Sequence, residues 1–130
     1  MRAKQANTPW EVEYTDEFEA VWNEFSEAQQ ESVAAIVSLL EVKGPSLGFP
    51  HTSGITTSKH SHMRELRIQH AGRPLRVLFA FDPRRAVILL ILGDKTGKRD
   101  WYDTFVPVAG RLYDEHVEEL KKQGLINGYD

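Results

Sequence analysis

The chain has 130 residues, of which 41% are hydrophobic and 27% are charged, a composition that suits one folded domain and argues against disorder. It contains no cysteine, which excludes disulfides, cysteine-ligated zinc and thiol nucleophiles. Its formal net charge of −3, taken alone, disfavours a nucleic-acid binder.

The N-terminal part of the chain predicts a strand followed by a helical hairpin. Apolar and acidic residues alternate over residues 10–14, as expected for a half-buried strand. Apolar residues then recur at helical spacing over residues 15–43, with a capping box at residues 26–29 where the second helix begins. Gly44 and Pro45 end this helix, and the hairpin has an acidic outer face.

The middle of the chain predicts a long loop and then three strands. Residues 44–60 match no periodic pattern, and a loop of that length in a small domain is often functional. Strands are predicted over residues 63–70, 75–81 and 86–92, and the short turns between them make an antiparallel meander. The third strand is apolar on both faces and should be central in the sheet.

A loop over residues 93–100 leads into a last helix, in which Pro107 fits only near the first turn. The buried stripe of this helix is predicted to contain Phe105, Ala109, Leu112, His116 and Leu120. His116 is interpreted as a hydrogen-bonded structural residue on that stripe.

The element order β-α-α-β-β-β-α predicts an α+β domain with its helices on one face of a twisted, mainly antiparallel sheet. We expect a single domain over residues 1–130, with a core from about residue 10 to 122 and flexible termini. The first ten residues contain no apolar signal-peptide region, and the longest apolar run, residues 86–92, is far shorter than the roughly 20 residues of a spanning helix. We therefore expect a cytoplasmic protein that makes no membrane contact.

The charge is distributed unevenly along the chain. Residues 1–57 carry a net charge of −6 and residues 101–130 one of −3. Residues 58–100 contain ten basic and four acidic residues, net +6. The whole-chain charge therefore says little about any single surface of the protein.

Basic residues of this middle segment should meet in the predicted meander. Arg67 and Arg76 lie on neighbouring strands, and Lys95 lies in the loop that follows the third strand, together with Lys98 and Arg99. If these groups converge near Tyr102, they suit phosphate recognition. The alternative is a solvated polar face that keeps the sheet soluble.

Other chemistries have weaker support in the sequence. Four of the five histidines lie within residues 51–70, but their spacing does not match a zinc site, so solvated loop residues are favoured and no metal is predicted. One of them, such as His62, could serve as a proton carrier. Residues 93–98 lack the full phosphate-loop spacing, and no strand-turn-helix elbow presents Ser58 or Ser61 as a nucleophile.

Four segments carry a more specific pattern: Met63-Arg64-Glu65-Leu66-Arg67, Gly72-Arg73-Pro74-Leu75-Arg76-Val77-Leu78-Phe79-Ala80-Phe81, Gly93-Asp94-Lys95-Thr96-Gly97 and Trp101-Tyr102. Their order and content resemble the RelE/ParE toxin superfamily, in particular its phage-derived, HigB-like branch. The resemblance runs from about Trp10 to Leu120 and implies a RelE-like fold, whose element order agrees with the predicted one.

The resemblance implies the toxin of a type II toxin–antitoxin system. Such a toxin is a metal-independent endoribonuclease that needs no cofactor and cuts mRNA, usually on the ribosome. The ribose 2′-OH attacks the adjacent phosphorus, and the 5′-oxygen leaves. The implied partners are mRNA, the ribosome and a cognate antitoxin of the helix-turn-helix type.

By this resemblance Arg76 clamps the phosphate, Arg67 aids 2′-OH activation or charge neutralisation, and Lys95 lies near the leaving oxygen. Tyr102 relays a proton or stacks on a base. Further contacts to RNA phosphates are expected from Lys59, Arg64, Arg73, Lys98 and Arg99. Because arginine cannot act as a base, the proton acceptor stays open between a lysine, Tyr102 and a loop histidine such as His62.

The chain departs from the family pattern at Glu65, where many relatives carry a basic residue, and we expect its negative charge to repel phosphate. It is also net acidic, whereas relatives are commonly basic. The superfamily contains gyrase poisons, so a gyrase-inhibiting ParE-like toxin or a catalytically inactive binding relative are the alternative functions.

Overall fold

The computed structural model describes residues 9–55 and 63–126. Within these residues the chain forms one five-stranded sheet and three α-helices. In chain order the elements are β1 Glu11–Tyr14, α1 Asp16–Glu24, α2 Glu27–Lys43, a short 3₁₀ turn Gly44–Ser46, β2 Thr52–Gly54, β3 Arg64–His70, β4 Arg73–Phe81, β5 Ala86–Asp94 and α3 Trp101–Lys122. This is the predicted α+β architecture with one strand added.

The sheet has the strand order β1-β5-β4-β3-β2. The predicted meander of β3, β4 and β5 is antiparallel, whereas β1 pairs in parallel with β5, so that β5 is an interior strand next to the middle strand β4. The added strand, β2, lies inside the segment that was predicted as a loop and pairs with the first half of β3. Three residues are too few to display the alternation by which a strand is recognised in a sequence.

The helices cover both faces of the sheet, so the prediction that they share one face was wrong. Along β4, Val77 and Phe79 pack in the cluster that contains residues of α1 and α2. Leu78 and Ala80, which point the opposite way, pack in the cluster that contains residues of α3. A sheet whose strands are apolar on both faces must be packed against helices on both faces. Periodicity alone does not say which helix packs on which face.

Local signals at the helix starts have the expected effects. The Thr15 hydroxyl accepts a hydrogen bond from the backbone N–H of Phe18 and begins α1. Ser26 and Gln29 form the predicted capping box at the start of α2. Each cap satisfies backbone donors that the first turn of a helix leaves without a partner.

Helix α3 differs from the expectation at its proline. The helix begins at Trp101, so Pro107 is its seventh residue rather than part of its first turn. Proline supplies no N–H to the helical ladder there, which is a local cost. Val106 and Ala109 beside it are buried against the sheet, and this packing keeps the helix continuous.

A cluster of charged groups joins the far end of the sheet to α3. The Asp82 carboxylate is fully buried and accepts hydrogen bonds from Arg84, whose guanidinium also contacts Glu13 of β1. His116 of α3 places Nε2 at 2.9 Å from Asp82 Oδ2, as expected for a hydrogen-bonded structural residue. The cluster therefore holds β1, the β4–β5 turn and α3 together.

The predicted single domain over residues 1–130 stays a prediction, because residues 1–8, 56–62 and 127–130 lie outside the described part of the chain. Among the helices that are described, none has the length and apolar character needed to cross a membrane.

Candidate functional site

The candidate site lies where β3 and β4 run side by side below the start of α3. Arg67 of β3 is the register partner of Arg76 of β4, and Arg76 is in turn the register partner of Gly93 of β5. Alternation along the strands directs Glu65, Arg67 and Arg76 to the face that α3 covers. The meander thus brings together the two arginines that the sequence analysis placed on neighbouring strands.

Glu65 is the centre of this site and is almost fully buried. Its Oε1 accepts a hydrogen bond of 2.6 Å from the Tyr102 hydroxyl and lies 3.4 Å from Arg76 Nε. Its Oε2 accepts hydrogen bonds from the hydroxyl of Ser53 and from Arg67 Nη1, at 2.5 and 3.3 Å. Because two guanidinium groups balance the buried carboxylate, Glu65 is a fixed partner of the arginines rather than a free negative charge facing the substrate.

The two arginines differ in exposure. The side chain of Arg76 is only 7% exposed, and its Nη1 donates to the carbonyl of Leu75. The side chain of Arg67 is 38% exposed. Both line a groove of about 480 Å³ at the β3 edge, together with His51 and Pro50 and with Ser32 of α2. Arg67 is therefore the more accessible of the two guanidinium groups.

Trp101 and Gly93 determine where Tyr102 lies. Trp101 is buried and packs so closely over Gly93 that a Cβ atom there would lie 2.7 Å from the indole nitrogen. The next residue, Tyr102, is thereby held over the strand pair, and its hydroxyl accepts a hydrogen bond from Arg76 Nε at 3.3 Å. The glycine in β5 is required by this close approach rather than by its backbone angles.

We expect Gly93→Ala to lower the free energy of unfolding by about 1–3 kcal/mol and to disturb the site, because the methyl group must displace the Trp101 ring. Gly54→Ala is the matched control, since a Cβ atom there meets nothing within 4 Å. Chemical denaturation of the two variants measures the difference. Equal stabilities would contradict the packing described for Trp101.

Lys95 lies in the loop between β5 and α3, and its Nζ is 5.4 Å from the centre of the Tyr102 ring, within cation–π range. The loop is shaped by Asp94, which accepts hydrogen bonds from the backbone and hydroxyl of Thr96 and from Arg73. Although burial opposes it, these bonds hold the pKa of Asp94 below its usual value. Through these bonds Asp94 shapes the loop that places Lys95 beside Tyr102.

Tyr102 is protonated at neutral pH in this environment. Burial and the hydrogen bond to Glu65 raise the pKa of its hydroxyl, and the guanidinium of Arg76 opposes this only in part. Tyr102 therefore enters any reaction as a phenol, able to donate its proton to Glu65 and to accept a hydrogen bond from another group.

Of the other basic residues predicted to bind RNA, those within residues 63–126 do not join this network. The Arg64 guanidinium donates to the Thr52 hydroxyl, and Arg73 forms an ion pair with Asp94. Lys98 and Arg99 are exposed in the loop before α3, where they can meet an incoming strand. Lys59 and the proposed proton carrier His62 lie outside the described residues.

Sequence reasoning missed the central role of Glu65 and the contribution of Ser53. The sequence did contain a signal for Glu65, because Glu65 and Arg67 share a strand face and Arg67 is the register partner of Arg76. No comparable signal existed for Ser53, since it lies in the three-residue strand within the predicted loop.

Comparison with known proteins agrees with the fold. The family of phage derived protein Gp49-like (DUF891) matches residues 20–114. Two proteins of Mycobacterium tuberculosis are similar in sequence. "Putative toxin HigB2" is 40% identical, and the match covers 70% of this chain and 46% of that protein. "Putative toxin HigB3" is 47% identical, and the match covers 60% of this chain and 68% of that protein. The chain thus spans about half the length of the first of these relatives.

A solved structure of a mutant of the E. coli toxin RelE in the free state matches with a TM-score of 0.52 and 7% sequence identity. The match covers 72% of this chain and 90% of that chain, and it shows a shared fold. With the family match covering most of the chain, these findings identify it as a member of the Gp49-like phage-derived family, related in sequence to the HigB proteins and sharing the fold of RelE.

Proposed function

We propose that the chain is the toxin of a type II toxin–antitoxin system and that it cleaves mRNA on the ribosome, with the RNA's own 2′-OH as nucleophile. The observation that carries this proposal is the convergence of Arg67, Arg76 and Tyr102 around one buried carboxylate, with Lys95 beside the tyrosine ring. The names of the two mycobacterial relatives support the toxin assignment.

The chemistry of this reaction suits the groups present. Attack of the 2′-oxygen crowds negative charge onto the phosphorus centre, and fixed guanidinium groups stabilise that charge without reorganising. Arg76, buried and held by Glu65 and Leu75, is the more rigid of the two cations, whereas Arg67 can adapt to the substrate. Lys95 supplies a third cation for the oxygen that leaves.

The distribution of charge supports a division between an RNA surface and a protein surface. Residues 9–55 contain nine acidic residues and one lysine, so β1 and the two helices that follow it repel RNA. RNA is therefore drawn to the face that carries Arg67 and Lys95. We propose that the cognate antitoxin, of the helix-turn-helix type, is the partner that holds the toxin inactive, and that the ribosome guides mRNA to this net acidic chain.

Controlled expression with mapping of mRNA 5′ ends tests this function. We expect growth arrest and transcripts cut into fragments with 2′,3′-cyclic phosphate and 5′-hydroxyl ends. Intact transcripts together with DNA damage signals would contradict the proposal and favour a gyrase inhibitor. Growth without arrest would favour an inactive binding relative.

A further inference from the structure

The carboxylate of Glu65 is enclosed by four polar partners inside the protein. Oε1 faces the Tyr102 hydroxyl and Arg76 Nε, and Oε2 faces the Ser53 hydroxyl and Arg67 Nη1. These four partners come from β2, β3, β4 and α3 and enclose the carboxylate, whose side chain is 7% exposed. Because these partners bury the carboxylate, we expect a ribose hydroxyl to reach it through one of them rather than directly.

The Tyr102 oxygen, by contrast, can still accept a hydrogen bond. It donates its proton to Glu65 at 2.6 Å and accepts a hydrogen bond from Arg76 Nε at 3.3 Å. A phenolic oxygen has a second lone pair, and Tyr102 is only partly buried. Among the described residues that contact Glu65, Tyr102 thus offers a route by which a proton can pass from the substrate to the buried carboxylate.

We propose that Tyr102 and Glu65 form a proton relay, in which Tyr102 takes the proton of the attacking 2′-OH while passing its own proton to Glu65. This inference rests on the proposed endonuclease function and deepens it, because the proton acceptor was left open between a lysine, Tyr102 and a loop histidine. Glu65 touches no substrate atom in this scheme and acts only through Tyr102.

The step is balanced in atoms and charge. The 2′-O–H bond breaks, its proton joins the Tyr102 oxygen, and the former Tyr102 proton joins Glu65 Oε1. The 2′-oxygen forms a bond to phosphorus, the bond from phosphorus to the 5′-oxygen breaks, and the leaving oxygen takes a proton from the Lys95 ammonium group. After the product leaves, Glu65 returns its proton to solvent through Tyr102, and Lys95 regains one.

The relay explains why Tyr102 need not ionise by itself. Its pKa is raised by burial and by Glu65, so a preformed phenolate is disfavoured at neutral pH. Transfer through Tyr102 in one concerted step avoids the phenolate, because the proton arrives as the other departs. The charged groups that face this pair, Arg67, Arg76 and Lys95, are all cationic.

The test measures single-turnover cleavage of mRNA on programmed ribosomes at saturating and sub-saturating protein, from mildly acidic to mildly alkaline pH. Glu65→Gln keeps the size of the side chain and one acceptor oxygen but cannot take up a proton. We expect it to lower the saturated rate about 10²-fold or more, with binding unchanged or tighter because the arginines lose a negative partner. Tyr102→Phe should lower the saturated rate similarly.

Two further readouts separate a relay from a merely structural role. The pH profile of the saturated rate should differ in shape between wild type and Glu65→Gln, because only the wild-type side chain can take up a proton. The double variant Glu65→Gln/Tyr102→Phe should be no slower than the slower single variant, because both remove one pathway. Glu115→Gln, an exposed carboxylate on α3, is the matched control and should behave as wild type.

A wild-type rate in Glu65→Gln, identical pH profiles in the two proteins, or additive losses in the double variant would each overturn the relay while leaving the endonuclease function intact. Absence of cleavage by the wild-type protein would instead overturn the proposed function, and the relay with it. Thermal unfolding of each variant confirms that the measured rates belong to folded protein.

Discussion

Replacing Arg67 and Lys95 together with alanine is expected to lower mRNA cleavage by about 10³-fold or more and to abolish growth arrest. Each cation stabilises charge that develops in the transition state, and loss of one such group typically costs about 10²–10³-fold in rate. Both side chains lie toward solvent compared with Arg76, so the domain should stay folded. Mapping of mRNA 5′ ends after expression, with circular dichroism of the purified variant, measures both effects.

Adding Arg76→Ala should remove the remaining activity but also weaken the fold. Arg76 is buried beside Glu65, and its loss leaves a buried carboxylate with fewer positive partners. The double variant therefore measures the loss of catalysis in a folded protein, and the triple variant gives the lowest activity expected of the site. Arg111→Ala is the matched control, because its guanidinium is exposed on α3 and pairs only with a neighbouring glutamate among the contacts described for it. Full toxicity of the double variant would show that the site is wrong.

The second large effect is expected at the opposite end of the sheet. Asp82→Ala should lower the free energy of unfolding by about 3–5 kcal/mol, because it removes the buried carboxylate that Arg84 and His116 share. Chemical denaturation at neutral pH measures this loss. Asp100→Ala is the control, since that residue is exposed and makes no capping hydrogen bond. Equal losses in the two variants would contradict the proposed structural role of the cluster.

The contribution of Asp82 should also depend on pH. Burial acts to raise the pKa of Asp82, but hydrogen bonds from Arg84 and His116 outweigh burial and hold the pKa below its ordinary value. A carboxyl group whose pKa is lower in the folded state than in the unfolded state stabilises fully above the unfolded value of about 4. The stability difference between wild type and Asp82→Ala should therefore shrink as the pH falls through the folded pKa.

Much of the fold could be predicted because its signals are local. The capping box at Ser26 and the alternation of β3 are each written in a few adjacent residues. The placement of helices on two faces was not predictable in this way. It depends on which of two apolar strand faces each helix meets, and β4 and β5 offer apolar residues on both.

The candidate site, too, was predictable from the sequence only in part. Arg67, Arg76, Lys95 and Tyr102 could be proposed from sequence because their strand order and family pattern agree. Glu65 was expected to repel phosphate, since a sequence shows a charge without its partners. Its burial between Tyr102 and two guanidinium groups changes that interpretation, because a paired carboxylate positions the cations around it.

The sequence by itself determined the α+β class, the caps of the first two helices, the basic middle of an acidic chain and the residue types available for phosphate chemistry. Only the tertiary structure decided that Trp101 packs over Gly93, that β2 brings Ser53 to Glu65 and that Tyr102 reaches the same carboxylate. The physical reason is separation along the chain. Helical and strand periodicity act over a few residues, whereas the hydrogen bond between Glu65 and Tyr102 joins groups 37 positions apart and exists only once the sheet and α3 have packed.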